Sequence, residues 1–370
     1  MPMLKKIKKL IKTPSLFFKD YLNKKHPIHL NEIKCPQEEE QIIISYDEKL
    51  ERTFKNNAPI DIVFTWVNSD DLIWSDKYNH FKKSGNKELG RYATDSARFE
   101  NHDELYYSLQ SVHKFLPWVR NIFIVTDNQI PAWLEKFKSK KIIIIDHTEI
   151  IPGKFLPTFN SHVIEAFLHN IPEISESFIY FNDDVFVARP LEASHFFKNN
   201  GHASLFVSSK NLSQMVERGT LTPTLSASLL SSALIEETFN HRPDNPLVHT
   251  YVPLRKSDYL DVWELYKDEI ESFLMNKFRT DSDLNLATFL VPWFSYYKGN
   301  SILQRDICYY FNIRSKSANS FYKALRKAKI DNHRPHSFCA NDFNSLNAPF
   351  ESYQDTLKKE LDNYYETENK

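Results

Sequence analysis

The run FIYFNDDVFV, residues 178–187, carries an apolar stretch directly into Asn182, Asp183 and Asp184. In an open α/β sheet ligands bind outside the carboxyl ends of the strands, so this is a place where a divalent cation can be bridged to a diphosphate. Oxygen donors favour Mg²⁺ or Mn²⁺ over zinc. The same Asn-Asp pair also makes turns and helix caps, and the motif alone leaves both uses open.

Other polar groups also stand at the ends of apolar runs. In IDIVFTWVNSDD, residues 60–71, Thr65, Asn68, Ser69, Asp70 and Asp71 can contact a nucleotide, while Trp66 can stack on a base or fill the core. Asp61 enters a buried strand and needs a donor or a ligand. In RFENHDELYYSLQSV, residues 98–112, Arg98 can grip phosphate through two parallel hydrogen bonds or serve a surface ion pair, and Asp103 and Glu104 complement a helix dipole. LPTFNSHVIEAFLHNIP places Asn160 or Ser161 as a helix cap, with Glu165 and His169 four residues apart on one face. Further on, His249 titrates near neutrality and can accept a hydroxyl proton, Arg279 can neutralise a phosphate, and Asn341–Asp342 can orient metal or sugar.

The elements that hold these groups alternate. Ile60–Val67, Asn121–Thr126, Ile142–Ile145 and Ser177–Phe181 are continuous apolar runs rich in β-branched and aromatic residues, which predicts buried parallel strands. Leu105, Leu109, Val112 and Phe115 recur at helical spacing between the first two, and Val163 and Phe167 do so before the fourth. An α/β, mostly parallel sheet flanked by helices follows. After about residue 190 helical patterns dominate, near 223–239, 258–275, 283–296 and 317–328, predicting a helical C-terminal elaboration over the sheet's carboxyl edge. No internal repeat interrupts this, so one elaborated domain is expected at 59–345, after an extension at 1–58 and before a tail at 346–370.

The totals exclude several functions. With 47 basic against 48 acidic residues no global field draws the chain to nucleic acid. The six glycines form neither a GxGxxG nor a GxxxxGK pattern, and three cysteines without CxxC spacing argue against structural zinc and a disulfide framework. Charge is uneven, however: residues 1–25 hold eight lysines and one acid, Asp20, interleaved with Leu4, Ile7, Leu10, Ile11, Leu16, Phe17 and Phe18. Such a helix can lie on an anionic membrane or pack on the domain. With no bilayer-spanning run and no signal-peptide pattern, a cytoplasmic protein is expected, peripheral at the inner face of the membrane.

Taken in order from about Ile60 to Phe343, these strings resemble the four regions of the Stealth family of hexose-1-phosphate transferases, which includes bacterial capsule polymerases and the N-acetylglucosamine-1-phosphotransferase of lysosomal enzyme targeting. The first region is similar to IDIVFTWVNSDD; the second runs from Arg98 through DELYYSLQSV, PWVRNIFIVTDNQIPAWL and LPTFNSHVIEAFLHNIP to FIYFNDDVF. The third is similar around His249 with Pro253 and at FRTDSD around Arg279 and Asp283, and the fourth at CANDF. The resemblance implies a GT-A-like core and transfer of a sugar phosphate, commonly N-acetylhexosamine 1-phosphate, from a UDP-sugar to a saccharide hydroxyl, with release of UMP and formation of a phosphodiester in surface polysaccharide. It further implies His249 as general base, Arg279 with Arg98 as phosphate clamp, Asp61 as a further catalytic candidate, and Asp183, Asp184 and Asp342 around Mg²⁺ or Mn²⁺. Thr65, Trp66, Asn68, Asn160 and Ser161 are then the nucleotide-sugar contacts. Two alternatives stay open: a conventional metal-dependent glycosyltransferase that releases UDP, and a carbohydrate-binding subunit without turnover, for which 46 Phe plus Tyr residues supply stacking surface.

Overall fold

The computed structural model describes residues 10–11, 14–25, 37–51, 53, 58–84, 93–137, 141–219, 221–331, 333–343 and 352–365. Much of the basic N-terminal stretch, residues 1–9, 12 and 13, lies outside the described residues. Pro14–Lys25 is helical, with Phe18, Tyr21 and Leu22 exposed.

Continuous apolar runs become the strands of a five-stranded sheet in the order β3-β2-β1-β4-β7, where β1 is Ile60–Thr65, β2 Ile122–Thr126, β3 Ile142–Asp146, β4 Ser177–Asn182 and β7 Val252–Arg255. The first four are parallel and β7 runs antiparallel to β4, pairing Ile179 with Pro253. Helices flank the sheet, giving the α/β architecture expected. Its central strands are buried on both faces, which is why they read as unbroken apolar runs; β3, at the edge, alternates and leaves Ile143 partly exposed. Each fully buried phenylalanine in β1 and β4, such as Phe64 and Phe181, contributes about 1.5–3 kcal/mol by leaving water.

The chain changes sheets immediately after β4. Asp183 and Asp184 form a tight turn, and β5 (Val185–Val187) leaves to join β10 (Ser337–Asn341) and β9 (Cys308–Asn312) in a second sheet of order β5-β10-β9. Val185 pairs with Cys339, so the aspartate turn is laid against the end of β10. A third, two-stranded sheet joins β6 (Ala203–Phe206) to β8 (Ser301–Gln304). The helix Glu104–Phe115 is bolted to β5 by two serines on its buried face: Ser108 Oγ donates to the Val185 carbonyl (2.5 Å), and Ser111 Oγ accepts from the Val187 amide (3.0 Å). Its first residue thereby reaches the aspartate turn.

The C-terminal segment does not hang free. Residues Tyr353–Tyr365 form a helix that buries Leu357 and Leu361, while Tyr364 and Tyr365 donate to the carbonyls of Ala188 and Val187 (2.8 and 2.7 Å). At the other end Ile44, on the helix Gln37–Glu51, is buried in the same core.

Asp61 finds a donor rather than a ligand, which corrects its expected catalytic role. It lies at the amino end of β1, opposite the end where Asp183 and Asp184 stand, and is fully buried. Arg120 meets it with two hydrogen bonds (2.9 and 2.5 Å), and the Asn121 amide, Ser175 amide and Ser175 hydroxyl complete its shell (3.1, 2.8 and 2.8 Å). Such a carboxylate ties three chain segments together at the base of the sheet. Asp61→Ala strands four donor groups and is expected to destabilise the fold by about 3–5 kcal/mol, read as a fall in the urea midpoint. Asp61→Asn, where it folds, should retain turnover per folded molecule; a large loss of turnover at wild-type stability would return Asp61 to the chemistry.

Candidate active site

Two clusters of opposite charge lie at the carboxyl ends of β1 and β4. The acidic one is built by the sheet switch. Asp183 and Asp184 follow β4 at partly exposed positions, and Glu104, buried at the head of its helix, lies within electrostatic reach of both. Burial, then Glu104 and Asp184, push the Asp183 carboxyl well above its usual range, and burial pushes Glu104 up to about 7 against the pull of His102. Glu104 is held by the His102 amide at 2.6 Å, after a residue, Asp103, whose φ of 64° places it in the left-handed region that Asp tolerates. Asp184 Oδ2 accepts from the Asn341 amide (2.8 Å) and the Cys339 thiol (3.2 Å); its Oδ1 is buried without a hydrogen-bond partner.

One buried oxygen of Asp184 without a hydrogen-bond partner, beside two further carboxyls that act on it electrostatically, is the kind of oxygen donor that Mg²⁺ or Mn²⁺ takes. A ligand atom from each of Asp184, His249 and Cys339 also lies within 4.8 Å of the other two. Cys339 does not turn the set into a thiolate site, because burial and the neighbouring Asp184 raise its pKa and keep it a thiol.

The basic cluster comprises Arg98, at the end of a 3-10 turn, and Arg279, on the loop after Phe278. Burial and the Arg279 charge push Arg98 down to about 9, and burial lowers Arg279 as well. Glu165, buried on the helix Ser161–Ala166, is the carboxylate that favours the charge on both. Arg279 donates to Thr224 Oγ1 (2.8 Å) and to Ser161 Oγ, while its Nε is buried and unpartnered. No hydrogen bond to the Arg98 guanidinium occurs among the described residues. Asp95 acts on Arg98 and Asp283 on Arg279 as well, yet a guanidinium nitrogen of Arg279 stays unpartnered, as a site for an anion requires.

Tyr180 joins this cluster to the strand ends. Its hydroxyl lies within hydrogen-bonding distance of Thr65 Oγ1 (3.0 Å), Glu165 Oε1 (3.3 Å) and Asn182 Oδ1 (3.0 Å), with one proton to give among them. The Arg279 loop is shaped by Asp283, which is fully buried and takes hydrogen bonds from Asn160 (2.8 Å), Asn276 (2.9 Å), the Thr280 amide and hydroxyl (3.1 and 2.7 Å) and His162 Nδ1 (3.0 Å). Burial works against the Asp283 charge, but these partners hold its pKa below the usual range.

His249 stands between the clusters electrically. Its side chain is exposed yet hemmed in by the cleft walls, so lost hydration lowers its pKa, with Asp184 acting to raise it and Lys210 and Arg279 to lower it. The backbone behind it is rigid: Thr250 is 2.6 Å from Ser337, Tyr251 donates to Asp306 (2.6 Å), and His195 Nε2 lies 3.0 Å from the same carboxylate. A largely neutral imidazole follows, free to take a proton.

The structure therefore brings together Asp183, Asp184, His249, Arg279, Arg98, Ser161 and Thr65. It uses three other expected contacts differently. Trp66 is a core residue, 7% exposed among the side chains between the sheet and its helices, and offers no face to a base. Asn160 is buried and spends its amide nitrogen on Asp283 and the carbonyls of Phe278 and Asn276, and its oxygen on the His162 amide, so it shapes the arginine loop instead of touching nucleotide. Asp342 is gripped by Arg314 through both oxygens and approached by His102 Nε2 at 3.0 Å; its possible metal partners are Glu100 and His102, a group separate from that of Asp184. Asn68 is half-buried near the β1 end, where its backbone exchanges two hydrogen bonds with the Gln129 side chain (2.9 and 2.8 Å). Glu104, Glu165, Tyr180 and Cys339 join the site without having been singled out for it. The first two had ordinary explanations as helix residues, and only their burial marks them.

Comparison with known proteins supplies the family. A family model described as Stealth protein CR2, conserved region 2, matches residues 98–205. The capsular polysaccharide phosphotransferase LcbA of Aeromonas hydrophila is 55% identical over 98% of this chain and 99% of its own, and a capsular polysaccharide phosphotransferase of Actinobacillus suis is 52% identical over the same shares. Among solved structures, the galactosyltransferase LgtC with donor and acceptor sugar analogues is similar at 11% identity and a TM-score of 0.39, over 84% of this chain and 98% of that one. Aligned nearly end to end with relatives at more than half identity, this chain belongs to the Stealth family and is a phosphotransferase.

Proposed function

We propose that this protein transfers a hexose 1-phosphate, with N-acetylhexosamine as the sugar, from a UDP-sugar to a saccharide hydroxyl in capsule synthesis. The observation that carries this reading is the meeting of a carboxylate cluster with an unpartnered Asp184 oxygen and an arginine pair with an unpartnered Arg279 nitrogen around one exposed imidazole. The capsular polysaccharide phosphotransferases to which the chain is similar support the pathway.

In the proposed reaction Arg98 and Arg279 clamp the diphosphate, and Glu165 favours the charge on both. His249 takes the proton of the acceptor hydroxyl as its oxygen attacks the β-phosphorus. The bond from that phosphorus to the bridging oxygen breaks, UMP leaves with the electron pair, and the sugar's C1–O bond is untouched, so the product is a phosphodiester with the donor's anomeric configuration. Asp183 and Asp184, with Glu104 behind them, would hold Mg²⁺ or Mn²⁺, which when bound supplies charge neutralisation at the diphosphate. Positioning and charge neutralisation are the main requirements of phosphoryl transfer. Thr65, Asn68 and Ser161 remain the proposed donor contacts. The exposed Phe18, Tyr21 and Leu22, beside the lysines of the N-terminal stretch, support peripheral contact with an anionic membrane at the cytoplasmic face; no described helix is long and apolar enough to cross one.

Phosphorus-31 spectra of a reaction with UDP-N-acetylhexosamine and a short saccharide should display UMP and a new phosphodiester; UDP and a glycosidic product would overturn the reading. Asp183→Asn or Asp184→Asn should cost at least about 10²-fold in turnover, and EDTA should abolish activity until Mg²⁺ or Mn²⁺ returns. Full activity in EDTA would remove the metal. His249→Ala is expected to lower turnover about 10²–10⁴-fold while donor affinity, by calorimetry, changes little. Arg279→Lys should lose at least about tenfold in donor affinity, since an ammonium cannot reproduce the fork that reaches Thr224 and Ser161; an equal fall in melting temperature and activity would make the arginine structural.

A further inference from the structure

We infer that Tyr310 and Lys210 form an acceptor subsite selective for saccharides that already carry a phosphodiester. This rests on the reaction proposed above, because a hydroxyl that gives its proton to His249 must belong to a sugar lying against that imidazole.

Tyr310 is the ring that meets His249 there. It projects from β9 with 37% of its surface exposed, the one exposed residue of that strand, and its centroid lies 4.9 Å from the His249 ring at an interplanar angle of 59°. Two exposed rings in contact make one continuous surface beside the base. Tyr310 is also held from behind: its hydroxyl donates to Asn341 Oδ1 (3.3 Å), and the Asn341 amide donates to Asp184 (2.8 Å). A rigid aromatic face with its polar tip already engaged suits the C–H face of a pyranose, and its fixed geometry limits the entropy lost on binding.

Lys210 adds the charge. Its ammonium lies 5.7 Å from the Tyr310 ring centroid and acts on His249, so it stands at the same mouth. The loop that carries it is pinned by Asn245, which donates to the carbonyls of Ser208 (3.2 Å) and Lys210 (2.7 Å). No carboxylate forms an ion pair with Lys210 among the described residues. An exposed cation on a pinned loop, with no ion-pair partner among the described residues and next to the acceptor platform, calls for an anion on the acceptor. The reaction itself makes one: each transfer leaves a phosphodiester, which carries one negative charge at neutral pH. A growing chain therefore arrives with a group for Lys210, and a starting, uncharged saccharide does not. In this way the site favours extension over initiation.

The test compares two acceptors, an oligosaccharide containing one internal phosphodiester and the neutral glycosidic oligomer of the same sugars. Binding to the full chain without donor is measured by saturation-transfer NMR, and kcat/KM with donor by nucleotide release. Wild type should prefer the phosphodiester acceptor, and the preference should shrink at high salt. Lys210→Ala should cut the ratio of the two kcat/KM values roughly 5- to 10-fold, and Lys210→Glu further. Tyr310→Leu should weaken binding of both acceptors, with Tyr310→Phe retaining most of it because the ring remains. Equal binding of the two acceptors by wild type, or an unchanged ratio in Lys210→Ala, would overturn the subsite. Because binding is read without donor, release of UDP in place of UMP would refute the proposed reaction and leave the subsite result standing.

Discussion

The decisive constraint in this molecule is the departure of the chain from its main sheet after Asn182. A strand that continued would have kept Asp183 and Asp184 in register with solvent at the sheet's edge. Instead β5 pairs with β10, the turn is pulled against Cys339 and Asn341, and the helix beginning at Glu104 is clamped to β5 through Ser108 and Ser111. Three carboxyls then share a partly dehydrated space, at a cost that hydrogen bonding within the protein does not recover: Asp184 Oδ1 stays unpartnered and the Asp183 and Glu104 pKa values rise. The rest of the fold can carry this strain because its sheet base is tied down by Asp61 and Arg120, and its second sheet is braced by the tyrosines of the C-terminal helix.

The arginine cluster is assembled by a different device. Arg98, Glu165 and Arg279 come from three separated parts of the chain, and a buried polar hub, Asp283, ties the helix of Glu165 to the loop of Arg279. By taking hydrogen bonds from Asn160, His162, Asn276 and Thr280, it fixes the loop that presents Arg279 to Ser161 and Thr224. A buried network of this kind contributes to shape more than to net stability, since each group gives up water to join it. The consequence is directional. Arg279 can be held by hydroxyls and still keep Nε without a partner, so the loop positions the guanidinium without neutralising it.

Much of the scaffold was readable because its physics is local. The apolar runs expected as strands at 60–67, 121–126, 142–145 and 177–181 form strands at Ile60–Thr65, Ile122–Thr126, Ile142–Asp146 and Ser177–Asn182, and the helix expected at 223–239 spans Pro223–Phe239. Within the site, Thr65, Asp183 and Asp184 were readable where polar residues end such runs, whereas Arg98, His249 and Arg279 stood out through the family resemblance. Asp61 and Asp342 show why the remainder was not. Each is an acid beside an apolar strand, and only the pairing register and the position of a distant arginine, Arg120 or Arg314, decide that they are neutralised within the protein. Trp66 illustrates the same limit from the apolar side, since the face on which a ring lands depends on where the strand ends. Asn160 was legible as a helix cap, which it is, but its commitment to Asp283 spans more than a hundred residues of chain. Glu104 and Glu165 look like ordinary helix acids until tertiary packing buries them.

The two clusters also explain each other. Alone, the carboxylate group would repel a nucleotide diphosphate, and the arginine pair would repel a divalent cation. Brought together, a metal-bound diphosphate satisfies both at once, and neither the free cation nor the free anion does so. Such a site selects its ligand by charge pattern and not by shape alone. The same reasoning bears on His249, whose imidazole feels Asp184 raising its pKa and Arg279 lowering it. In the proposed reaction a bound donor would offset Asp184 and Arg279 together, which leaves lost hydration and Lys210, both of which lower the pKa of the ring. A poorly hydrated imidazole favours its neutral form, the form able to accept a proton, so in that proposal the charge balance that admits the donor also keeps His249 ready for the acceptor.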